Sequence, residues 1–256
     1  MKLFSRIRGL MLPGQKEAPL SRPIETLPLP SVLIIPLLVR GGRMAKLLVQ
    51  PGDLVLKGQW IGEDPISKTK ILASTSGLVK GIEQHPLPHA SGAQGPCILV
   101  EPDGEETLFE RSIPDFKSKS IADPEILDYI EAMGIVGLGG AAFPTRQKLD
   151  PFRPIETVIL NGAECEPLIA CDEGLMQERS DQVLRGAELL LQITQAQQLI
   201  VAIENNKTLA IKRLHQSLER LKLNHIQIVL VPALYPQGGE RQLIQTLTGK
   251  EVPSGG

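Results

Sequence analysis

Gly137-Leu-Gly-Gly-Ala-Ala-Phe-Pro-Thr-Arg-Gln-Lys148 and, a few residues on, Thr157-Val-Ile-Leu-Asn-Gly-Ala-Glu-Cys-Glu-Pro167 decide how this chain is read. The first stretch sets three glycines beside Phe143, Pro144 and Lys148; the second is an apolar run that ends on two acids. Ahead of the glycines, Ile126, Ile130 and Met133 recur at helical spacing, with Asp123 placed as an N-cap and Gly134 as a stop. Gly137-x-Gly139-x-x-Ala142 meets the letter pattern of a dinucleotide fingerprint, but that device needs a strand before the glycines and a helix directly after them. A helix precedes them here, so an ordinary Rossmann site is disfavoured. The glycines still permit close approach of a flat or phosphorylated ligand, with Phe143 able to stack and Lys148 able to neutralise a phosphate. The competing reading is a tight interdomain loop.

Downstream, residues 157–160 read as a buried strand, 173–195 as one long amphipathic helix and 198–203 as a strand. A helix over 207–221, a strand over 226–231 and a helix over 240–247 follow. Strand and helix in alternation predict a parallel α/β sheet. Such sheets bind ligands beyond the carboxyl ends of their strands, which here are residues 161–166, 204–207 and 235–240. All three loops are polar or glycine-rich, and their convergence predicts a binding site. Glu164 and Glu166 are candidates for an acid/base pair, for metal ligands, or for acceptors of ligand hydroxyl and amide groups. With no histidine nearby, acceptors are preferred and no metal is expected. Cys165, between them, reads as a small packed residue.

Upstream, the proline-rich stretch 21–30 is an extended lead-in. Short β-like runs follow at 32–39, 45–49, 53–55, 59–61, 70–73, 78–82 and 97–101, punctuated by Pro51-Gly-Asp53, Lys57-Gly-Gln59 and Ser76-Gly77. They predict a small all-β unit. The segment His85-Pro-Leu-Pro-His89 is read as a rigid surface loop rather than a metal site. A boundary is expected near 112–122, giving an N-terminal segment 1–30, a β domain 31–112 and an α/β domain 122–256. Basic and apolar residues mix in 1–12, a pattern for a docked or frayed end or for a membrane surface.

The composition excludes several classes of function. A formal charge of −2 and 3% aromatic residues offer neither the field nor the stacking surface that nucleic acid requires. At 42% hydrophobic content the 256 residues can bury an ordinary core. The three cysteines form no Cys-x-x-Cys pair and are expected as reduced thiols. No apolar run approaches the roughly 20 residues of a membrane span.

Leu48-Val-Gln-Pro-Gly-Asp-Leu-Val-Leu-Lys-Gly-Gln-Trp-Ile61 with Ala73-Ser-Thr-Ser-Gly-Leu-Val79 resembles the barrel-sandwich hybrid of biotinyl and lipoyl carrier domains. Lys68 and Lys70 match neither of that family's modified-lysine settings, so the β unit is expected to be structural. A second resemblance spans nearly the whole chain. Gly134-Ile-Val-Gly-Leu-Gly-Gly-Ala-Ala-Phe-Pro-Thr145, Asn161-Gly-Ala-Glu-Cys-Glu-Pro167 and Tyr235-Pro-Gln-Gly-Gly-Glu-Arg-Gln-Leu-Ile244 resemble the C subunit of the Rnf (Rsx) electron transport complex, and more distantly the flavin-bearing subunit of respiratory complex I.

That resemblance implies a barrel-sandwich hybrid followed by a parallel α/β flavin- and NADH-binding domain. It implies FMN contacts at Gly137, Gly139, Gly140, Lys148, Asn161, Glu164, Gly239 and Glu240, and NADH contacts at Phe143 and Glu166. Ala163 and Arg241 depart from the complex I pattern, which has acids there. The family continues into a β-grasp region and a ferredoxin-like region whose cysteine sets hold [4Fe-4S] clusters, and the resemblance here covers only its N-terminal part. The implied function is a peripheral subunit on the cytoplasmic side of a bacterial inner membrane, in an ion-translocating ferredoxin:NAD oxidoreductase complex, with FMN and NAD(H) as cofactors and the other subunits and ferredoxin as partners. The alternative is a docking module without catalysis.

Overall fold

Apolar runs too short for a helix, each closed by a glycine turn, form the antiparallel strands of the first half. The computed structural model describes residues 9–39, 42–88, 91–116, 122–138, 143–149 and 154–253. Contacts divide the chain into two units, Leu27–Arg153 and a second made of Met1–Thr26 with Pro154–Gly256.

In the unit 27–153 the strands are β1 (Leu33–Pro36), β2 (Leu38–Val39), β3 (Arg43–Met44), β4 (Lys46–Leu47), β5 (Leu54–Val55), β6 (Trp60–Glu63), β7 (Lys70–Leu72), β8 (Gly77–Pro86) and β9 (Gln94–Pro102). They pair in the orders β1-β9-β8-β5, β4-β6-β7 and β2-β3, with neighbours antiparallel throughout. Inward residues such as Leu37, Val55, Ile61, Val79, Ile98 and Val100 are buried in the middle, as half-buried strands require. All three turn glycines expected from the sequence, Gly52, Gly58 and Gly77, have positive φ. Gly77 is the most constrained: a Cβ there would lie 2.0 Å from the Glu101 carbonyl oxygen.

The β8–β9 hairpin is longer than the sequence suggests. His85 pairs with Gly95 and Pro86 with Gln94, so this part of the expected loop is strand, because Gln94 and Gly95 offer an extended partner. His89 lies outside the described residues. Helix α1 (Pro124–Ala132) follows, with Ile126, Leu127 and Ile130 buried and Gly134 at φ 62° ending it. Asp123 makes no side-chain capping bond. The helix is held to the strands by the Trp60 indole N–H, which donates to Ala132 O at 2.7 Å. Of the two lysines weighed for carrier chemistry, Lys70 is ion-paired with Glu63 and sits 5.0 Å from the Trp60 ring.

The other unit is the parallel α/β structure. Strands β10 (Thr157–Gly162), β11 (Gln198–Glu204) and β12 (Ile226–Val231) lie in sequential order, in parallel register from Thr157↔Gln198 and Leu199↔Ile226. Strand β11 sits between its neighbours and alternates between two cores. Leu199, Val201 and Ile203 pack with Leu184, Ala210 and Leu214 of helices α4 (Ser180–Thr194) and α5 (Thr208–Leu221). Ala202 faces the other way, toward Leu243 of α6 (Glu240–Thr248).

The single helix expected over 173–195 is two: α3 (Cys171–Glu178) and α4, separated at Arg179. Two interactions invisible in the local sequence fix where the two helices begin. The Glu164 carboxylate accepts the N–H groups of Asp172 and Glu173 at 2.9 and 3.0 Å, capping α3 from a distant loop where its own Ala170 cannot. The hydroxyls of Ser180 and Ser217 are hydrogen-bonded to each other at 2.8 Å and buried, which fixes the start of α4 against α5.

Candidate functional site

At the carboxyl edge of the parallel sheet, the loop after β10 is bound to the loop before α6. Asn161 Nδ2 donates to Gly238 O at 2.9 Å, while its Oδ1 accepts from Ala163 N–H at 3.1 Å. Gly238 is required by this apposition, since a Cβ would stand 2.3 Å from Ala163 O. Gly239 occupies the N-cap position of α6 and Glu240 is its first residue. Asn161, Glu166 and Glu240 are exposed, and Glu166 has no ion-pair partner among the described residues.

Beneath this edge lies a buried ion cluster that the middle loop completes. Lys207 is 2% exposed, and its ammonium lies 3.4, 3.1 and 3.3 Å from the carboxylates of Glu164, Glu173 and Glu204. One cation thus faces three carboxylates. Burial disfavours the Lys207 charge, but the carboxylates, Glu173 foremost, reverse the effect and raise its pKa. Burial likewise pushes the Glu164 carboxyl up, and the N–H bonds from Asp172 and Glu173, the Lys207 charge and the Cys171 thiol outweigh it, leaving the group below its ordinary value. Cys171 Sγ donates to Glu164 Oε1 at 3.3 Å; burial and this bond raise the thiol's pKa. Glu164, Cys171 and Asp172 bring possible metal-binding atoms within 4.8 Å of one another. The Glu164 oxygens there are already engaged by backbone N–H groups and a protonated thiol. A second cation arrives from the N-terminal segment, where the Lys16 ammonium donates to the main-chain oxygen of Glu164. Burial, with the Lys207 charge next, lowers the Lys16 pKa.

The glycine stretch is described within the unit 27–153. Gly137 N–H donates to Phe143 O at 2.9 Å and Thr145 N–H to Ile135 O at 3.0 Å, closing the segment on itself. Helix α2 (Thr145–Lys148) follows, and Arg146 ties it to α1 through Asp128 at 3.0 Å. The Lys148 ammonium is 5.9 Å from the Phe143 ring centroid, so the ring and cation singled out in the sequence are neighbours. Gly139 and Gly140 lie outside the described residues.

The glycines of this stretch differ in what they need. At Gly134 a Cβ would meet Leu72 Cδ1 and Lys70 O at 2.5 Å, so packing requires glycine. At Gly137 the nearest atoms would be 3.8 and 3.9 Å away, and its φ is not in the left-handed region. Among the described residues, nothing explains that glycine.

Residues 4–105 match the family model described as the RnfC barrel sandwich hybrid domain, and residues 130–256 that of the Nuo51 FMN-binding domain. The C subunit of the ion-translocating oxidoreductase complex of Pseudomonas aeruginosa is 45% identical over 97% of this chain. That of Pectobacterium atrosepticum is 39% identical over the whole of it. This chain matches the N-terminal part of RnfC subunits. It spans about a third of the length of these relatives, 32% and 38% respectively. Among solved structures, an NAD+-reducing [NiFe]-hydrogenase is 26% identical over 53% of this chain and 26% of that one, with a TM-score of 0.46.

The ten residues singled out in the sequence fall into groups. Asn161, Glu164, Glu166, Gly239 and Glu240 belong to the parallel-sheet unit, and Gly137, Phe143 and Lys148 to the other. Sequence reading misses Lys207, Glu173 and Glu204 as a set, although Glu204-Asn-Asn-Lys207 is one of the three loops expected at the site. An acid and a lysine three residues apart at a strand's end are the available signal. It also misses Lys16, which nothing local distinguishes.

Proposed function

We propose that residues 130–256 of this chain form an FMN-binding domain. In the parent subunit, flavin at this domain exchanges electrons with NAD(H) on one side and with iron-sulfur clusters on the other. The observation that carries the reading is the match to the Nuo51 FMN-binding domain over a span that includes all ten candidate residues. Taken unit by unit, the residue types present are ones such a cofactor would use. Among the described residues nothing requires glycine at 137, as would hold for a backbone approached by a ligand. The exposed Lys148 ammonium would neutralise a phosphate, and the Phe143 ring beside it would stack on the nicotinamide. Asn161 and the Gly239–Glu240 helix start would supply hydrogen bonds, with Glu166 as an acceptor for the nucleotide. Glu164 fixes the loop instead of reaching the ligand, because its carboxylate caps α3.

FMN supplies two-electron exchange with NAD(H) and single-electron exchange with clusters; the protein's share is orientation and charge. The proposal extends to the complex: a peripheral subunit on the cytoplasmic side of a bacterial membrane, with the other Rnf subunits, and ferredoxin through them, as partners. The clusters would belong to the region beyond this chain's span. Among the described residues no helix is long and apolar enough to cross a membrane. Anaerobic titration of the chain with FMN and then NADH tests the reading. Flavin uptake followed by bleaching supports it, and the absence of both refutes catalysis by this chain.

A further inference from the structure

The N-terminal segment, expected from sequence to be extended over 21–30 and docked, frayed or laid on a membrane surface over 1–12, makes bonds to both loops of the carboxyl edge. Leu10 and Tyr235 form an antiparallel bridge with two hydrogen bonds, Leu10 N–H to Tyr235 O at 2.9 Å and Tyr235 N–H to Leu10 O at 2.8 Å. Four residues on, Gly14 O accepts the N–H of Leu168 at 2.8 Å, and Leu168 is a non-glycine residue held at φ 67°. Just beyond, Lys16 binds the Glu164 carbonyl. The segment is anchored at its far end by the Glu178 carboxylate of α3, which accepts Ile24 N–H at 2.9 and 3.1 Å. Tyr235 opens the loop that carries Gly239 and Glu240, and Leu168 closes the loop that carries Asn161, Glu164 and Glu166. One segment of chain thus fixes both loops.

We propose that residues 9–24 are a positioning arm of the ligand site and that Lys16 is its positioning residue: the loops hold their binding geometry only while the arm is docked. The proposal deepens the flavin reading and rests on it. Ordering a polar loop of this kind costs backbone entropy at every residue, and the anchor points along the arm supply compensating contacts. A loop ordered before the ligand arrives binds it more tightly than one the ligand must order itself. The Lys16 ammonium contributes by fixing the Glu164 main-chain carbonyl, while the carboxylate of the same residue is committed to α3.

The arm can be undocked without touching any candidate ligand contact. A Cβ on Gly9 would lie 2.7 Å from Tyr235 O and 3.0 Å from Leu234 Cβ, so Gly9→Val blocks the bridge. Gly14→Ala is the matched control, since its Cβ would meet only the Lys16 side chain at 3.6 Å. Amide hydrogen exchange at Leu168 and Tyr235, whose N–H groups bond to the arm, reads docking directly and needs no flavin. FMN titration reads the consequence.

The expected result is faster exchange at both amides and at least tenfold weaker FMN binding in Gly9→Val, with neither change in Gly14→Ala. Lys16→Met should weaken FMN binding in the same direction and Lys16→Arg restore it, at an unchanged thermal midpoint. Unaltered exchange in Gly9→Val overturns the proposal. So does faster exchange with unaltered FMN affinity, which would reduce the arm to a strap without bearing on the ligand. If the wild-type chain takes up no FMN, the flavin reading fails on its own, and the exchange comparison still decides whether the arm orders the loops.

Discussion

Replacing Lys207 by Met removes the buried cation from three carboxylates and leaves their geometry otherwise intact. The perturbation is severe because the side chains involved are nearly inaccessible: 2% for Lys207 and 4%, 11% and 2% for Glu164, Glu173 and Glu204. Breaking a buried ion pair by deleting one partner costs about 3–5 kcal/mol, since the remaining charge is stranded. At roughly 2–4 °C per kcal/mol for a chain of this size, the transition should fall by about 6–20 °C. The cost should also depend on pH. Carboxylates deprived of their cation take up protons more readily, so the gap between variant and wild type should narrow as the pH falls from about 8 toward about 5. Urea unfolding followed by far-ultraviolet circular dichroism measures the gap in the helix-rich unit. Trp60, the single tryptophan, reports the strand unit by fluorescence as an internal reference. A gap below about 1 kcal/mol at neutral pH, or one that stays constant with pH, would refute the cluster's structural role.

The wild-type chain should show the same electrostatics in its own pH profile. Glu164 titrates below its ordinary 4.5, so its contribution is complete above that value and fades as the pH falls through the folded pKa. Lys207 titrates above its ordinary 10.5, so its contribution is complete below 10.5 and fades as the pH rises through the folded pKa. Urea midpoints across the range check both limbs. Gly238→Ala forces a Cβ to 2.3 Å from Ala163 O and should destabilise by about 1–3 kcal/mol while breaking the Asn161 bond, which a shifted urea midpoint and loop amide shifts would register. Cys171, although exposed, should alkylate more slowly than a free cysteine at about pH 8, because burial of its sulfur and its bond to Glu164 keep the thiol protonated; mass spectrometry after iodoacetamide gives the rate.

What the sequence makes legible and what it hides follow from the range of the interactions. The strands of both units are readable because each is an apolar run bounded by glycine or polar residues, and period and punctuation are local. Strands β10, β11 and β12 fall within two residues of their expected ends. The start of α3 and the start of α4 are not readable, since the first is held by a carboxylate eight and nine residues upstream of the N–H groups it accepts and the second by a serine 37 residues downstream. The same holds for Lys207, whose partners come from three separate segments. The N-terminal arm has no periodicity at all; its conformation is set by bonds to loops far along the chain, Lys16 and Glu164 being 148 residues apart. At the site, the three loops expected at the sheet's carboxyl ends do meet, through Asn161 with Gly238 and Lys207 with Glu164. Glu164 reads as a ligand acceptor because an acid in a polar loop offers no sign that a helix N-terminus will occupy it.

The flavin account can be tested where ligand and fold make opposite demands. At Gly137 an added Cβ would have only ordinary contacts, at 3.8 and 3.9 Å, so Gly137→Ala should leave stability within about 0.5 kcal/mol of wild type. If the glycine is there to let FMN approach the backbone, the same methyl group should weaken flavin binding at least tenfold. FMN fluorescence titration of wild type and Gly137→Ala, with the thermal midpoint of each, is the direct measurement. Uptake of FMN by the wild type, weakened in the variant at an unchanged midpoint, is the predicted result; equal affinities in the two chains, or no uptake by either, would contradict it.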